Sequence, residues 1–310
     1  MTIKNVVVIG AGMMGNGLAQ VFAANPELNV ILRTRKLQED RYQQIEKNLD
    51  IMIARGAMTQ AEKETIISRI QFETDLKTAC ADADFIIECA PEVMETKQDL
   101  FAELEAYTRD DCIYATNTSV MSVTEIAAKC KHKDRVVGAH FWNPGHLIPL
   151  VEVVQTEYTN PVYIEATMKL MEDCGKKPIL CKKDVPGFVA NRLQHALWRE
   201  AFYMVQEGIA DPATVDDACK YGPGLRWPVL GPMENSDMVS IQLSYNIHDY
   251  ILKFLADNHE PSHCLKDMLD RGDNGFKTGK GWQEWIPEQM EASATNLREY
   301  LVDTIARNKK

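Results

Sequence analysis

The chain has 310 residues, is 45% hydrophobic and 25% charged, and carries a formal net charge of −11. That length supports two domains with sizeable cores, and the balance is that of an ordinary globular protein. The acidity disfavours nucleic acid as a partner, and no apolar stretch is long enough to span a membrane.

The first residues enter an apolar run directly, with no secretory or transit pattern, so a cytoplasmic protein is expected. Val6-Val7-Val8-Ile9 is apolar throughout, as in a strand buried on both faces. Gly10-Ala11-Gly12-Met13-Met14-Gly15 follows, and Met13 to Ala24 reads as a helix. In a dinucleotide-binding βαβ unit, Gly10 permits the tight turn, Gly12 lets the backbone approach a pyrophosphate and Gly15 allows close helix–strand packing. Backbone N–H groups of Met13, Met14 and Gly15 would then face the phosphates. Val30-Ile31-Leu32 predicts the second strand, and Arg33, Thr34 and Arg35 follow it. An acid there selects NAD through the ribose 2′-hydroxyl; an arginine accommodates a 2′-phosphate. Two guanidiniums flanking a hydroxyl point to NADP over NAD.

A helical hairpin is predicted over residues 39–68, broken at Arg55-Gly56 and restarted by the capping-box pattern of Thr59 to Glu62. Further strands are expected at Phe85–Glu88, Ile113–Thr116, Val136–His140, Leu150–Gln155 and Lys177–Cys181. This alternation predicts an α/β fold, a doubly wound, mostly parallel Rossmann sheet over residues 1–184 with the hairpin inserted. From residue 185 to 310 strand patterns cease. Asp211-Pro212 opens a helix, helical periodicity continues over 239–256, 263–269 and 290–306, and an all-helical second domain is expected. The 8 cysteines form no Cys-x-x-Cys pair and read as reduced thiols. No metal-ligand cluster is present in the pattern.

Four polar residues fall where parallel strands end or domains join. Ser119 follows the strand ending at Thr116, His140 ends its strand, Glu152 interrupts an apolar strand and Asn191 lies on the first helix after residue 185. A carboxylate in an apolar strand must be paired. A neighbouring imidazole would satisfy it and form a base–orienter pair. The bland alternatives are Glu152 on a solvent face, a structural His140, and Ser119 and Asn191 as turn or surface residues.

Asn117-Thr118-Ser119, Ala139-His140-Phe141-Trp142-Asn143-Pro144, Pro149-Leu150-Val151-Glu152-Val153, Pro186-Gly187-Phe188-Val189-Ala190-Asn191-Arg192 and Lys277-Thr278-Gly279-Lys280-Gly281 occur in this order. In these motifs, over nearly its whole length, the chain resembles the L-3-hydroxyacyl-CoA dehydrogenase family. The resemblance implies a nicotinamide-dependent oxidoreductase with a helical dimerisation domain, a homodimer, a His140–Glu152 dyad, and Ser119 and Asn191 around the substrate oxygen. It also implies that Glu92, Lys97, Ser119 and Asn143 lie near the nicotinamide end of the cofactor.

Four positions depart from the family pattern. Thr34 stands where the ribose-binding Asp is usual, and Val120 where a second Ser is frequent. Asn48 and Arg55 stand where members acting on CoA thioesters use a Ser and a Lys. Gly222-Pro223-Gly224-Leu225-Arg226-Trp227 with Gly231-Pro232 is similar to the subgroup of lambda-crystallin/L-gulonate 3-dehydrogenase and carnitine 3-dehydrogenase. There Arg226 would clamp a carboxylate, or else stack on Trp227. The expected reaction is hydride transfer between an L-3-hydroxyacyl-CoA, such as 3-hydroxybutyryl-CoA, and NAD(P). A small free 3-hydroxy acid is the alternative, and a non-catalytic dinucleotide-binding protein the remote one.

Overall fold

The computed structural model of the protein describes residues 1–37 and 42–308. The first residues of the expected hairpin, 39–41, therefore lie outside the described residues. By packing, the chain separates into two compact units. One is Met1–Arg192 together with Asn296–Lys310; the other is Leu193–Thr295.

The first unit is built on one eight-stranded sheet. Its strands are β1 (Asn5–Ile9), β2 (Asn29–Arg33), β3 (Ile70–Glu73), β4 (Phe85–Glu88), β5 (Ile113–Thr116), β6 (Val136–Phe141), β7 (Leu150–Val154) and β8 (Lys177–Cys181). Their order is β3-β2-β1-β4-β5-β6-β7-β8. Neighbours are parallel except β6 and β7, which run antiparallel with His140 opposite Glu152. The order reverses between β1 and β4, which is where doubly wound sheets open a crevice at the strands' carboxyl ends.

Helices α1 (Met13–Ala23), α2 (Gln43–Ala54), α3 (Gln60–Arg69), α4 (Leu76–Cys80), α5 (Met94–Leu104), α6 (Val123–Ile126) and α7 (Pro161–Asp173) connect the strands. One face of the sheet buries Leu18, Phe22, Leu49, Phe85 and Phe141; the other buries Ile86, Phe101, Tyr114 and Val123. The hairpin restarts as expected. Thr59 caps α3 by accepting from the Glu62 backbone N–H, and the Glu62 side chain reaches back to Thr59. Strand β3 was not foreseen. Its four residues Ile-Gln-Phe-Glu follow α3 directly, and only pairing with β2 makes them a strand.

The remaining helices are α8 (Ala190–Gln206), α9 (Pro212–Tyr221), α10 (Pro223–Arg226), α11 (Pro232–Val239), α12 (Ile241–Ile251), α13 (His263–Asp270) and α14 (Pro287–Asn308). Asp211 caps α9 through the Thr214 N–H, as its sequence position predicts. Residues 296–308, expected with the helical domain, belong to the first unit. Val302 of α14 is fully buried in the same core as Ile45 and Leu49, with Leu301 and Ile305 packed alongside. Among the described residues no helix is long and apolar enough to cross a membrane.

Candidate active site

The glycine turn fits a dinucleotide. Gly10 adopts φ +108°, a conformation side chains rarely tolerate, and a Cβ on Gly15 would fall 1.7 Å from the Gly10 carbonyl oxygen. A Cβ on Gly12, by contrast, meets nothing within 4 Å and would project into open space. Gly12 N-caps α1 with no side-chain cap, and the first turn holds no acidic residue, so its N–H groups are left to an anion. Met13 is exposed beside them. At the end of β2, the Thr34 hydroxyl donates to the Lys36 carbonyl, Arg35 is exposed, and the buried Arg33 Nε has no partner among the described residues.

At the carboxyl ends of β4 and β5 lies a buried ionic network. Lys97 is 1% exposed, and its Nζ donates to both Glu88 oxygens at 2.7 and 2.9 Å. Thr116 donates to Glu88 at 2.8 Å, and the Lys97 Nζ also lies 3.2 Å from Glu92. Glu92 in turn accepts from the Thr118 hydroxyl at 3.0 Å and the Ser119 N–H at 2.7 Å. Glu92 thus links the Lys97–Glu88 pair to the backbone of Ser119. The Ser119 carbonyl accepts from the Asn191 side chain at 3.0 Å. Both backbone groups of Ser119 are thus pinned, while its hydroxyl has no partner among the described residues. Asn117 accepts from the Phe141 N–H at 2.8 Å, tying β5 to the strand that carries His140.

His140 and Glu152 are both buried, on adjacent strands in register. His140 Nδ1 lies 2.8 Å from Glu152 Oε2, and no hydrogen bond engages its Nε2 among the described residues. Glu152 accepts four bonds. Oε2 also takes the Trp142 indole N–H at 3.1 Å, and Oε1 takes the Val189 and Ala190 amides, each at 2.9 Å. The turn that aims those amides holds Gly187 at φ +76° and Phe188 at φ +48°. That strain is offset by burying Phe188 against the His140 ring, with centroids 5.8 Å apart. Burial pushes the Glu152 carboxyl up, but the bonds from His140, Ala190, Trp142 and Val189 outweigh it and hold it down at about 2.

The loop from β6 to β7 carries Asn143, whose side chain is exposed. Lys176 braces this loop by donating to the Gly145 and Ile148 carbonyls at 2.7 and 3.0 Å, and burial pushes its ammonium down to about 8. Asn48 is bonded to Gln20 and Gln44. Arg55 pairs twice with Asp303 and lies 3.3 Å from Glu299, both on α14. Arg226 is exposed on α10 in the second unit. Sequence reasoning had overlooked Glu88, Trp142 and the two amides. For Glu88 the signal was available, because it is a carboxylate closing an apolar strand, as Glu152 is one inside such a strand.

Strand order, glycine turn and uncapped helix are those of an α/β dinucleotide-binding protein, and the same unit holds a buried histidine–carboxylate pair. Residues 5–185 match the model of the 3-hydroxyacyl-CoA dehydrogenase NAD binding domain, and residues 187–285 that of the 3-hydroxyacyl-CoA dehydrogenase C-terminal domain. The L-carnitine dehydrogenase of Bacillus cereus is 36% identical over 239 residues, covering 74% of this chain and 70% of that one. A probable 3-hydroxybutyryl-CoA dehydrogenase of Deinococcus radiodurans is 35% identical over 281 residues, 90% of this chain and 99% of its own. The crystal structure of 5-formyl-3-hydroxy-2-methylpyridine 4-carboxylic acid 5-dehydrogenase, an NAD+ dependent dismutase, superposes with TM-score 0.89 at 30% identity over 98% of this chain and 97% of that one. The chain belongs to the 3-hydroxyacyl-CoA dehydrogenase family and is an NAD-dependent oxidoreductase of that family.

Proposed function

We propose that His140 is the general base and acid of an alcohol–carbonyl interconversion, with Glu152 as its orienter. The observation that carries this reading is the 2.8 Å contact of Nδ1 with a buried carboxylate, which directs the basic Nε2 lone pair outward. In the oxidative direction Nε2 takes the substrate hydroxyl proton, and the ionised Glu152 stabilises the resulting imidazolium. In reduction the imidazolium returns that proton. The Ser119 hydroxyl, presented by its pinned backbone, donates to the reacting oxygen, and Asn191 holds that backbone in place. Glu92 and Asn143 face the nicotinamide end, and Lys97 steers Glu92 from below. Gly10, Gly12, Met13, Met14 and Gly15 hold the pyrophosphate. The bound nicotinamide supplies the hydride acceptor or donor.

For the cofactor we infer a preference for NADP over NAD, carried by Thr34 and the cations Arg33 and Arg35. The Arg33 Nε, which has no hydrogen-bond partner among the described residues, supports this reading as a donor suited to an anion. Thermal shifts with NAD+ and NADP+ test it, the preferred cofactor raising the melting temperature more at equal concentration. Thr34→Asp is expected to reverse the preference.

For the substrate we favour a small free hydroxy acid, with Arg226 as the candidate carboxylate fork. Arg55, the candidate cation for a CoA phosphate, is already compensated by Asp303 and Glu299. A CoA thioester is the second reading, favoured by similarity to the Deinococcus enzyme. Parallel assays with 3-hydroxybutyryl-CoA, gulonate and carnitine decide between them. Turnover of the CoA ester alone would overturn the preference. A His140→Ala variant with full turnover of every substrate would overturn the base assignment.

We further infer a homodimer through the second unit. Its described residues bury little, while α12 exposes Ile241, Leu243, Tyr245, Ile247 and Tyr250 on a helix that a second copy would cover. A monomer mass by light scattering would refute it. The eight free cysteines support a reducing compartment such as the cytoplasm.

A further inference from the structure

The indole of Trp142 plays no part in the scheme above, yet it donates to the same carboxylate oxygen as the catalytic imidazole. Glu152 Oε2 receives His140 Nδ1 at 2.8 Å and Trp142 Nε1 at 3.1 Å, while Oε1 is filled by the Val189 and Ala190 amides. The Trp142 and His140 rings also lie 5.9 Å apart, tilted by 55°. We propose that Trp142 is a positioning residue that tunes the His140–Glu152 pair, its indole N–H competing with the imidazole for Oε2 and so limiting how strongly the carboxylate draws on the ring. This rests on the reading of His140 as the proton-transfer group.

A carboxylate oxygen shared by two donors is polarised toward both. Deleting the neutral donor leaves that oxygen's charge to the imidazole, and the imidazolium gains. The other ionisable groups around the carboxylate are few. Cys181 on β8 donates its thiol to the Lys183 carbonyl, and Asp184 follows that strand. Asp184 accepts from the Ser122 hydroxyl and the Thr124 N–H. On the β5 side, Asn117 is neutral. The indole is thus the one adjustable neutral side-chain donor on Glu152 among the described residues.

Trp142→Phe keeps an aromatic ring beside His140 while removing the N–H donor. The test is the titration of the His140 ring by NMR in histidine-labelled protein, which needs no substrate. The midpoint in Trp142→Phe is expected to lie about half a pH unit to one unit above that of the unaltered protein. An unchanged or lower midpoint overturns the proposal. A tryptophan that merely fills space would lower stability without moving the midpoint. Should Trp142→Phe not fold, the indole N–H signals of the otherwise intact protein carry the test. They are followed in a Trp198→Phe background, because Trp198 lies 5.1 Å from His195 and would report that ring instead. One remaining indole signal is expected to titrate with the His140 midpoint; none doing so overturns the proposal. A shifted midpoint in a protein without turnover would leave this inference standing and remove the proposed function.

Discussion

Replacing Glu152 by Gln removes one charge and preserves shape, so its effect can be worked from the contact itself. Nδ1 and Oε2 are 2.8 Å apart. The centres of the two charges are then about 4 Å apart, and at an effective dielectric of about 20 their attraction is about 4 kcal/mol. If that attraction is felt only when the imidazole carries the proton, its loss lowers the rate by roughly a thousandfold. A second effect acts in the same direction. With Oε1 held by the Val189 and Ala190 amides, the new amide nitrogen faces His140 Nδ1 and the Trp142 indole. The ring is then driven to the tautomer whose Nε2 carries hydrogen and cannot accept a proton. The assay is kcat/KM in the oxidative direction, paired with cofactor binding measured by protein fluorescence. The expected result is a loss of about three orders of magnitude with cofactor affinity unchanged. A folded variant that loses less than tenfold would refute the dyad.

Four other outcomes follow from the structure. Gly15→Ala is expected to lose about 3 kcal/mol or more of stability, because its methyl meets the Gly10 carbonyl oxygen. Gly12→Ala should melt like the unaltered protein yet bind dinucleotide at least about tenfold more weakly, since its methyl fills only open space; calorimetry and fluorescence titration separate the two. The folded Glu152 carboxyl sits near 2, below its ordinary 4.5. Its charge therefore stabilises the fold fully above about pH 4.5, and that contribution, about 3 kcal/mol at most, is lost as the pH falls through about 2. The gap in urea midpoint between the unaltered protein and Glu152→Gln should be widest near neutrality and narrow toward pH 2.5; a constant gap would contradict this. Val302→Ala should cost about 2 kcal/mol in chemical unfolding, because Val302 is fully buried among residues of the first unit. No loss would mean that α14 is not docked there.

Much of the first unit was legible because its central strands β4 and β5 are buried on both faces and read as apolar runs, while the edge strand β8, exposed at Lys177 and Leu180, still carries the apolar Ile179-Leu180-Cys181. Phe85–Glu88, Ile113–Thr116 and Lys177–Cys181 coincide with the observed strands residue for residue. Strand β3 was hidden because it has one fully buried residue, Ile70, with Gln71 and Glu73 exposed or half-buried beside it. In the second half, α10 and α11 escaped notice. Proline and glycine at their starts read as loop signals, and α10 has only four residues.

The order of glycines, the apolar strand interrupted by Glu152, the histidine closing the strand before it and the cap residues Thr59 and Asp211 are all local. Each follows from what one residue and its near neighbours can do, so sequence determined them. Pairing is not local. That His140 stands opposite Glu152 depends on the antiparallel register of two strands, and that Glu152 holds four donors depends on a strained turn 35 residues further along the chain reaching back to it. Likewise Arg55 meets Asp303 across 248 positions of sequence. Composition and periodicity report which face of an element is apolar, but not which distant element covers it, and the chemistry of this site lies in those coverings.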